Sequence, residues 1–162
     1  MKKIISYLLV TILAISLLTA CSSNADKKTD SSSSTEPITY KDGVYTAEQD
    51  DFDANSGWKS TIEIVVENGK IVSVDWNAVH KDGGDDKKTQ SKNGTYGMVE
   101  KGGAQAEWHE QAEKVEAYLI ETQDPAAIKY DDGGYTDAIA GVTIHVNDFV
   151  ELATKALENA RE

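Results

Sequence analysis

Residues 61 to 76 read Thr61-Ile62-Glu63-Ile64-Val65-Val66-Glu67-Asn68-Gly69-Lys70-Ile71-Val72-Ser73-Val74-Asp75-Trp76. Ile62, Ile64 and Val66 alternate with Thr61, Glu63 and Glu67 before the Asn68-Gly69 pair. Val72, Val74 and Trp76 alternate with Ile71, Ser73 and Asp75 after it. A period of two puts each set on one face of an extended chain, and Asn-Gly accepts positive φ at both central positions of a tight turn. The stretch therefore predicts a half-buried antiparallel hairpin, with Ile62, Ile64, Val66, Val72, Val74 and Trp76 facing the core.

On the N-terminal side, Asp42-Gly43-Val44-Tyr45-Thr46-Ala47 reads as a short edge strand after a glycine turn. On the C-terminal side, Trp108, Ala112, Val115 and Leu119 recur at helical steps. They predict a helix over 105–122, with Gly102-Gly103 before it and Asp124-Pro125 after it. Residues 128–135 read as a short strand or extended loop with a turn at Asp131-Asp132-Gly133-Gly134. A second helix is expected from Asn147 or Asp148, with Asp148 and Glu151 as a capping box and Phe149, Ala153, Ala156, Leu157 and Ala160 as its apolar stripe. The fold class that follows is α+β, a small antiparallel sheet with two main helices.

The chain opens Met1-Lys2-Lys3, runs apolar from Ile4 to Leu18, and reaches Leu18-Thr19-Ala20-Cys21. A basic start, a short apolar core and a small-residue site describe a secretory leader over 1–20. Leu-Thr-Ala-Cys has the form of a bacterial lipobox, and Cys21 is the only cysteine in 162 residues. Lipidation of Cys21 is the expectation, placing the protein on the extracytoplasmic face of the cell membrane. No disulfide or Cys-based metal site can be built from this chain.

Residues 21–40 hold four consecutive serines, Ser31 to Ser34, among lysines and aspartates. Such a segment has too little apolar surface to order itself and reads as a flexible tether. About 18 residues of it reach roughly 20–25 Å as a coil. Residues 41–162 then form one domain. Losing Lys2 and Lys3 with the leader leaves 14 basic against 28 acidic residues, a net charge of −14. That surface repels nucleic acid and anionic headgroups, so the lipid does the anchoring.

Several catalytic and metal patterns are absent or incomplete. Asp50, Asp51, Asp53 and Asn55 resemble a calcium loop, but Ser56 and Ile62 stand where Gly and Glu are required. His109 lacks the second histidine of a zinc helix and reads as a surface residue; His80 and His145 are scattered, and no Gly-x-Ser-x-Gly elbow occurs. No metal site is expected. The polar, Gly-rich excursion over 81–101 reads as functional or disordered, with Tyr96 and Met98 as its sizeable apolar side chains.

One motif remains. Tyr135-Thr136-Asp137-Ala138-Ile139-Ala140-Gly141-Val142-Thr143 precedes Ile144, His145 and the second helix. Asp137, Gly141 and Thr143 resemble, in identity and spacing, the flavin-attachment motif of the FMN-binding domain family. Ala140 stands where that family usually has Ser or Thr, and Val142 where it usually has Ala. The Asp42-Gly43-x-Tyr45 opening resembles the start of the same family. The order of elements over 41 to about 158 is similar to that of the Gram-positive flavin lipoproteins of extracellular electron transfer.

The resemblance implies FMN joined through its phosphate to the Thr143 hydroxyl by a separate flavin transferase, with Asp137 recognised by that enzyme. Gly141 would let the backbone approach the phosphate, and Ala140 and Val142 would flank it. The protein would then be an electron carrier, not an enzyme, taking electrons from a membrane quinone or dehydrogenase and passing them to extracellular acceptors. Trp76, Tyr96, Met98 and Tyr135 are the candidates to line the ring. Two other readings stand beside this one: a ligand-binding or interaction lipoprotein without flavin, and a precursor whose excised leader is a pheromone.

Overall fold

The structure, a computed structural model, describes residues 38–161. The leader, Cys21 and the serine run lie outside the described residues. The fold is α+β: a three-stranded antiparallel sheet of β1 (Gly43–Glu48), β2 (Trp58–Glu67) and β3 (Lys70–His80), in that order, with four helices. These are α1 (Lys87–Lys92), α2 (Met98–Gly102), α3 (Trp108–Thr122) and α4 (Asn147–Leu157), with a 3-10 turn at Pro125–Ala127. The two longer helices cover one face of the sheet, α3 against β3 and α4 against β1 and β2. The folded unit begins ahead of residue 41, since Tyr40 is buried and bridges to Arg161.

The hairpin forms at Asn68-Gly69, whose φ angles of 53° and 76° suit a two-residue turn of the mirror-image type. That turn pairs Glu67 with Lys70 and Val66 with Ile71, and a bulge then leaves Val72 without a partner before Ser73 meets Val65. The alternation expected from the sequence is thereby corrected at one position. Ile71 is 2% exposed and Val72 45% exposed, while Ile62, Ile64, Val66, Val74 and Trp76 face inward as expected. The extra residue lets the tight turn and the Trp76 end of the strand both satisfy their own phase. At Gly69 a Cβ would stand 2.9 Å from Thr39 Cγ2 in a left-handed backbone. Gly69→Ala should cost about 1–2 kcal/mol in denaturant titration.

The open edge of β3 is closed by α3. The Glu116 carboxylate accepts from the Trp76 amide at 2.7 Å, and the Gln123 side chain accepts from Ile71 N at 2.7 Å and donates to Ile71 O at 2.9 Å. Side chains replace the missing strand, which blunts an edge otherwise free to pair with another chain.

Three local expectations change. Residues 81–101 are neither one long loop nor disordered: Asp86 caps α1 by accepting from Thr89 N at 2.9 Å, and α2 follows. The Asp148–Glu151 box does not form, because the cap of α4 is Val146, two residues before Asp148, and Asp148 accepts from Asn147 Nδ2 at 2.9 Å and from Ser60 Oγ at 3.5 Å. His109 is half-buried, and its ring Nδ1 lies 2.9 Å from the buried Ser91 hydroxyl, joining α3 to α1. Residues 128–135 are loop, with the expected turn drawn around the Asp131 carboxylate, which accepts from Gly133 N and Tyr135 N, both at 2.9 Å.

Candidate functional site

The loop from Asp137 to Thr143 is pinned at two apolar points, Ile139 and Val142, both buried. Between them Ala140 and Gly141 are exposed, and Gly141 takes φ 74°, the left-handed bend that turns the chain back. Val142 N donates to Ile139 O at 3.3 Å to close the turn. Asp137 is exposed on the approach to it. Lys114 of α3 reaches over from its neighbouring helix, with Nζ 3.4 Å from Gly141 O.

Thr143 follows with its side chain exposed. Its backbone N–H donates to Gln111 Oε1 at 2.7 Å and its hydroxyl to the same oxygen at 3.2 Å. Gln111 is only 1% exposed, and its Nε2 donates to Ala106 O at 3.0 Å, which holds the amide in one orientation. Two bonds into one buried acceptor give the Thr143 oxygen a set position at the surface. Gln111→Ala would leave the Thr143 amide without its acceptor, an expected loss of about 1–3 kcal/mol of unfolding free energy.

Beside Thr143 opens a cavity of about 640 Å³, within the range of small-molecule sites. Trp58, Trp76, Tyr96, Met98, Trp108 and Tyr135 are among its walls, with Lys87, His145 and Asp148. All four side chains named as candidates to line a ring are therefore on it. Of the motif, Tyr135 and Thr143 reach the cavity; Asp137, Ala140, Gly141 and Val142 lie off it. Tyr135 and His145 stack edge to face at 4.4 Å on one side of it. Trp76 is 3% exposed, and its Nε1–H has no hydrogen-bond partner among the described residues. A buried indole N–H without a partner is uncommon, and this one lies beneath the cavity surface, out of contact with solvent.

Sequence reasoning missed Gln111, Lys114, Trp58 and Lys87. Gln111 and Lys114 sit on α3 between its apolar positions and carry no signal of their own. Lys87 lies in the charged run Asp85-Asp86-Lys87-Lys88, which looks like solvated surface. In the structure the Lys87 ammonium is 4.8 Å from the Trp108 ring centre, 5.1 Å from Tyr96 and 5.7 Å from Trp58. Burial lowers its pKa to about 8, against the upward pull of the Asp148 carboxylate. Burial also pushes the Tyr96 phenol upward.

No known family model matches this chain. It is similar to the "15 kDa lipoprotein" of Treponema pallidum, 27% identical over 119 residues that make up 74% of this chain and 75% of that protein. It is also similar to two solved structures. One, the solution NMR structure of a Clostridium thermocellum protein, is 70% identical over 74% of this chain and 91% of that one, with a TM-score of 0.56. The other, the crystal structure of the CPE2226 protein of Clostridium perfringens, is 30% identical over 75% of this chain and 88% of that one, with a TM-score of 0.58. At that identity and coverage, the chain belongs to the family of these two clostridial proteins.

Proposed function

We propose that this protein is a membrane-anchored extracytoplasmic flavoprotein that carries electrons on an FMN esterified to Thr143. The observation that carries the reading is an exposed, positioned hydroxyl at the wall of an aromatic cavity large enough for a planar tricyclic ring. The anchor is supported by the lipobox at Cys21 and by the similarity to a protein named as a lipoprotein. Among the described residues no helix is long and apolar enough to cross a membrane, so the lipid is the proposed attachment.

The donor set fits the group. Gln111 holds the Thr143 hydroxyl before attachment, and Lys114 stands beside the Gly141 bend where a phosphate charge needs offsetting. Tyr135, Tyr96 and Met98 supply faces and edges on which a flat ring packs. FMN, when bound, supplies the redox chemistry; the chain's own groups bind and orient it. Asp137, exposed outside the cavity, is open to a docking transferase, the role the family resemblance gives it. A membrane quinone or dehydrogenase is the proposed donor, and the acceptors are extracellular.

The test is intact mass of the mature protein produced with and without a flavin transferase. A gain of one FMN less a water, confined to the first sample and absent in Thr143→Ala, supports the carrier. A colourless protein of unchanged mass in both samples would leave a binding lipoprotein without flavin.

A further inference from the structure

Lys87 puts a charge where packing alone has no use for one. Its ammonium faces three aromatic rings in the cavity beside Thr143, and no carboxylate lies within ion-pair distance of it among the described residues. Its neighbour Lys88 behaves differently, pairing with Asp75 and with Glu116 at 2.7 Å. Those pairs and the Asp86 cap fasten α1 to β3 and α3, and so hold Lys87 in place over the rings. Cation–π contacts with the three rings offset part of the desolvation. An uncharged side chain of similar length would fill the space without that cost.

We propose that Lys87 is the ligand-recognising cation of this cavity, meeting the carbonyl-bearing edge of the flavin ring, where negative charge collects on reduction. The inference rests on the flavin reading above. The walls around Lys87 are aromatic, with the ring centres of Trp58, Tyr96 and Trp108 each within 5.7 Å of the ammonium. A flat heteroaromatic with several carbonyl and ring-nitrogen acceptors matches a cationic donor set between aromatic walls.

When the ring takes up two electrons from an external reductant and one proton from solvent, it holds one negative charge. A protonated Lys87 opposes that charge and raises the midpoint potential. The groups that bear on Lys87 are Asp148 from α4, which favours its charged form, and Tyr96, whose ring it faces. From β2 and α3 the faces are Trp58 and Trp108, which do not titrate. Because burial brings the amine to about 8, its support is present below that pH and fades as pH rises through it. Reduction pulls the amine back upward, so the support is lost at higher pH in the reduced protein than in the oxidised one.

The experiment uses the full lipidated chain in detergent, produced with a flavin transferase, as wild type, K87M and K87R. Intact mass reports attachment, and dithionite titrations across the neutral to alkaline range report the midpoint potential. NMR titration of the Lys87 side chain in protein made without the transferase gives a flavin-free readout. The expected result is a lower potential in K87M than in wild type, with the gap narrowing as pH rises through about 8. K87R should keep the high potential without that narrowing, because a guanidinium does not titrate there. In the flavin-free protein Lys87 should titrate near 8 and move up once flavin is attached.

Equal potentials in K87M and wild type, with both gaining the FMN mass, would overturn the role of Lys87 and leave the carrier standing. A wild type that gains no mass would overturn the carrier and this inference together. Should K87M fail to fold, K87R decides: a pH dependence identical to wild type would sink the proposal.

Discussion

Thr143→Ala is expected to abolish flavin attachment completely, with no partial product and no transfer to a neighbouring hydroxyl. Thr136, the other threonine of the motif, is buried, and its hydroxyl donates to Lys129 O at 2.6 Å, so it is both covered and engaged. The loss of signal will not reflect misfolding. The substitution removes one hydroxyl bond at the surface and leaves the 2.7 Å bond from the residue 143 amide to Gln111 intact, a change of about 0.5–1.5 kcal/mol. Thr143→Ser keeps an acceptor oxygen on the same backbone and should retain attachment. Mass spectrometry of the three proteins, with thermal melts as the folding control, reads all of this. Flavin still present on Thr143→Ala would move the attachment to another residue and remove the motif's role.

The largest effect on stability is expected at Phe149. It is fully buried on the second residue after the start of α4, and its ring meets Trp76 at 5.2 Å and 66°. Trp76 in turn packs against Trp108 of α3 at 5.2 Å, so one aromatic row ties both long helices to the sheet. Phe149→Ala opens a void at the α4 end of that row. The cost should be about 3–5 kcal/mol, a fall in Tm of about 10–20 °C by calorimetry. The cavity beside Thr143 shares Trp76 and Trp108 as walls, so flavin incorporation should fall with the stability. A drop of only a few degrees would show that α4 is seated by its other apolar residues.

The physical reasons for what could be read early and what could not differ by residue. Trp108, Ala112, Val115 and Leu119 were legible because a helix repeats its buried face at short, regular intervals. Ile71 was not, because a bulge shifts the phase by one residue and leaves no mark in composition. The capping carboxylates were misplaced for a related reason: Asp148 has the right chemistry for a cap, yet Ser60 and Asn147 already engage it. Glu107 and Glu110 supply the capping pair on α3, where Glu107 N donates to Glu110 Oε2 at 2.8 Å.

Thr143 was nameable from local spacing, since a motif of seven residues is a property of the chain itself. The wall that faces it comes from the β1–β2 loop, β2, β3, the α1–α2 segment, α3 and the loop at Tyr135, reaching as far back in the chain as Gln49. No local pattern records such a meeting, because it depends on how helices cross a sheet and not on period.

Taken alone, the order of residues determined the three strands, the two long helices, the hairpin turn, and the one hydroxyl worth testing. Local propensity and hydrophobic period act over a few residues, and each of these features is that short. Only the folded chain decided that Val72 faces water, that Gln111 grips Thr143, and that Lys87 lies among three rings. Those depend on burial and on long-range contact, where the energy of a group is set by neighbours that the chain brings in from elsewhere.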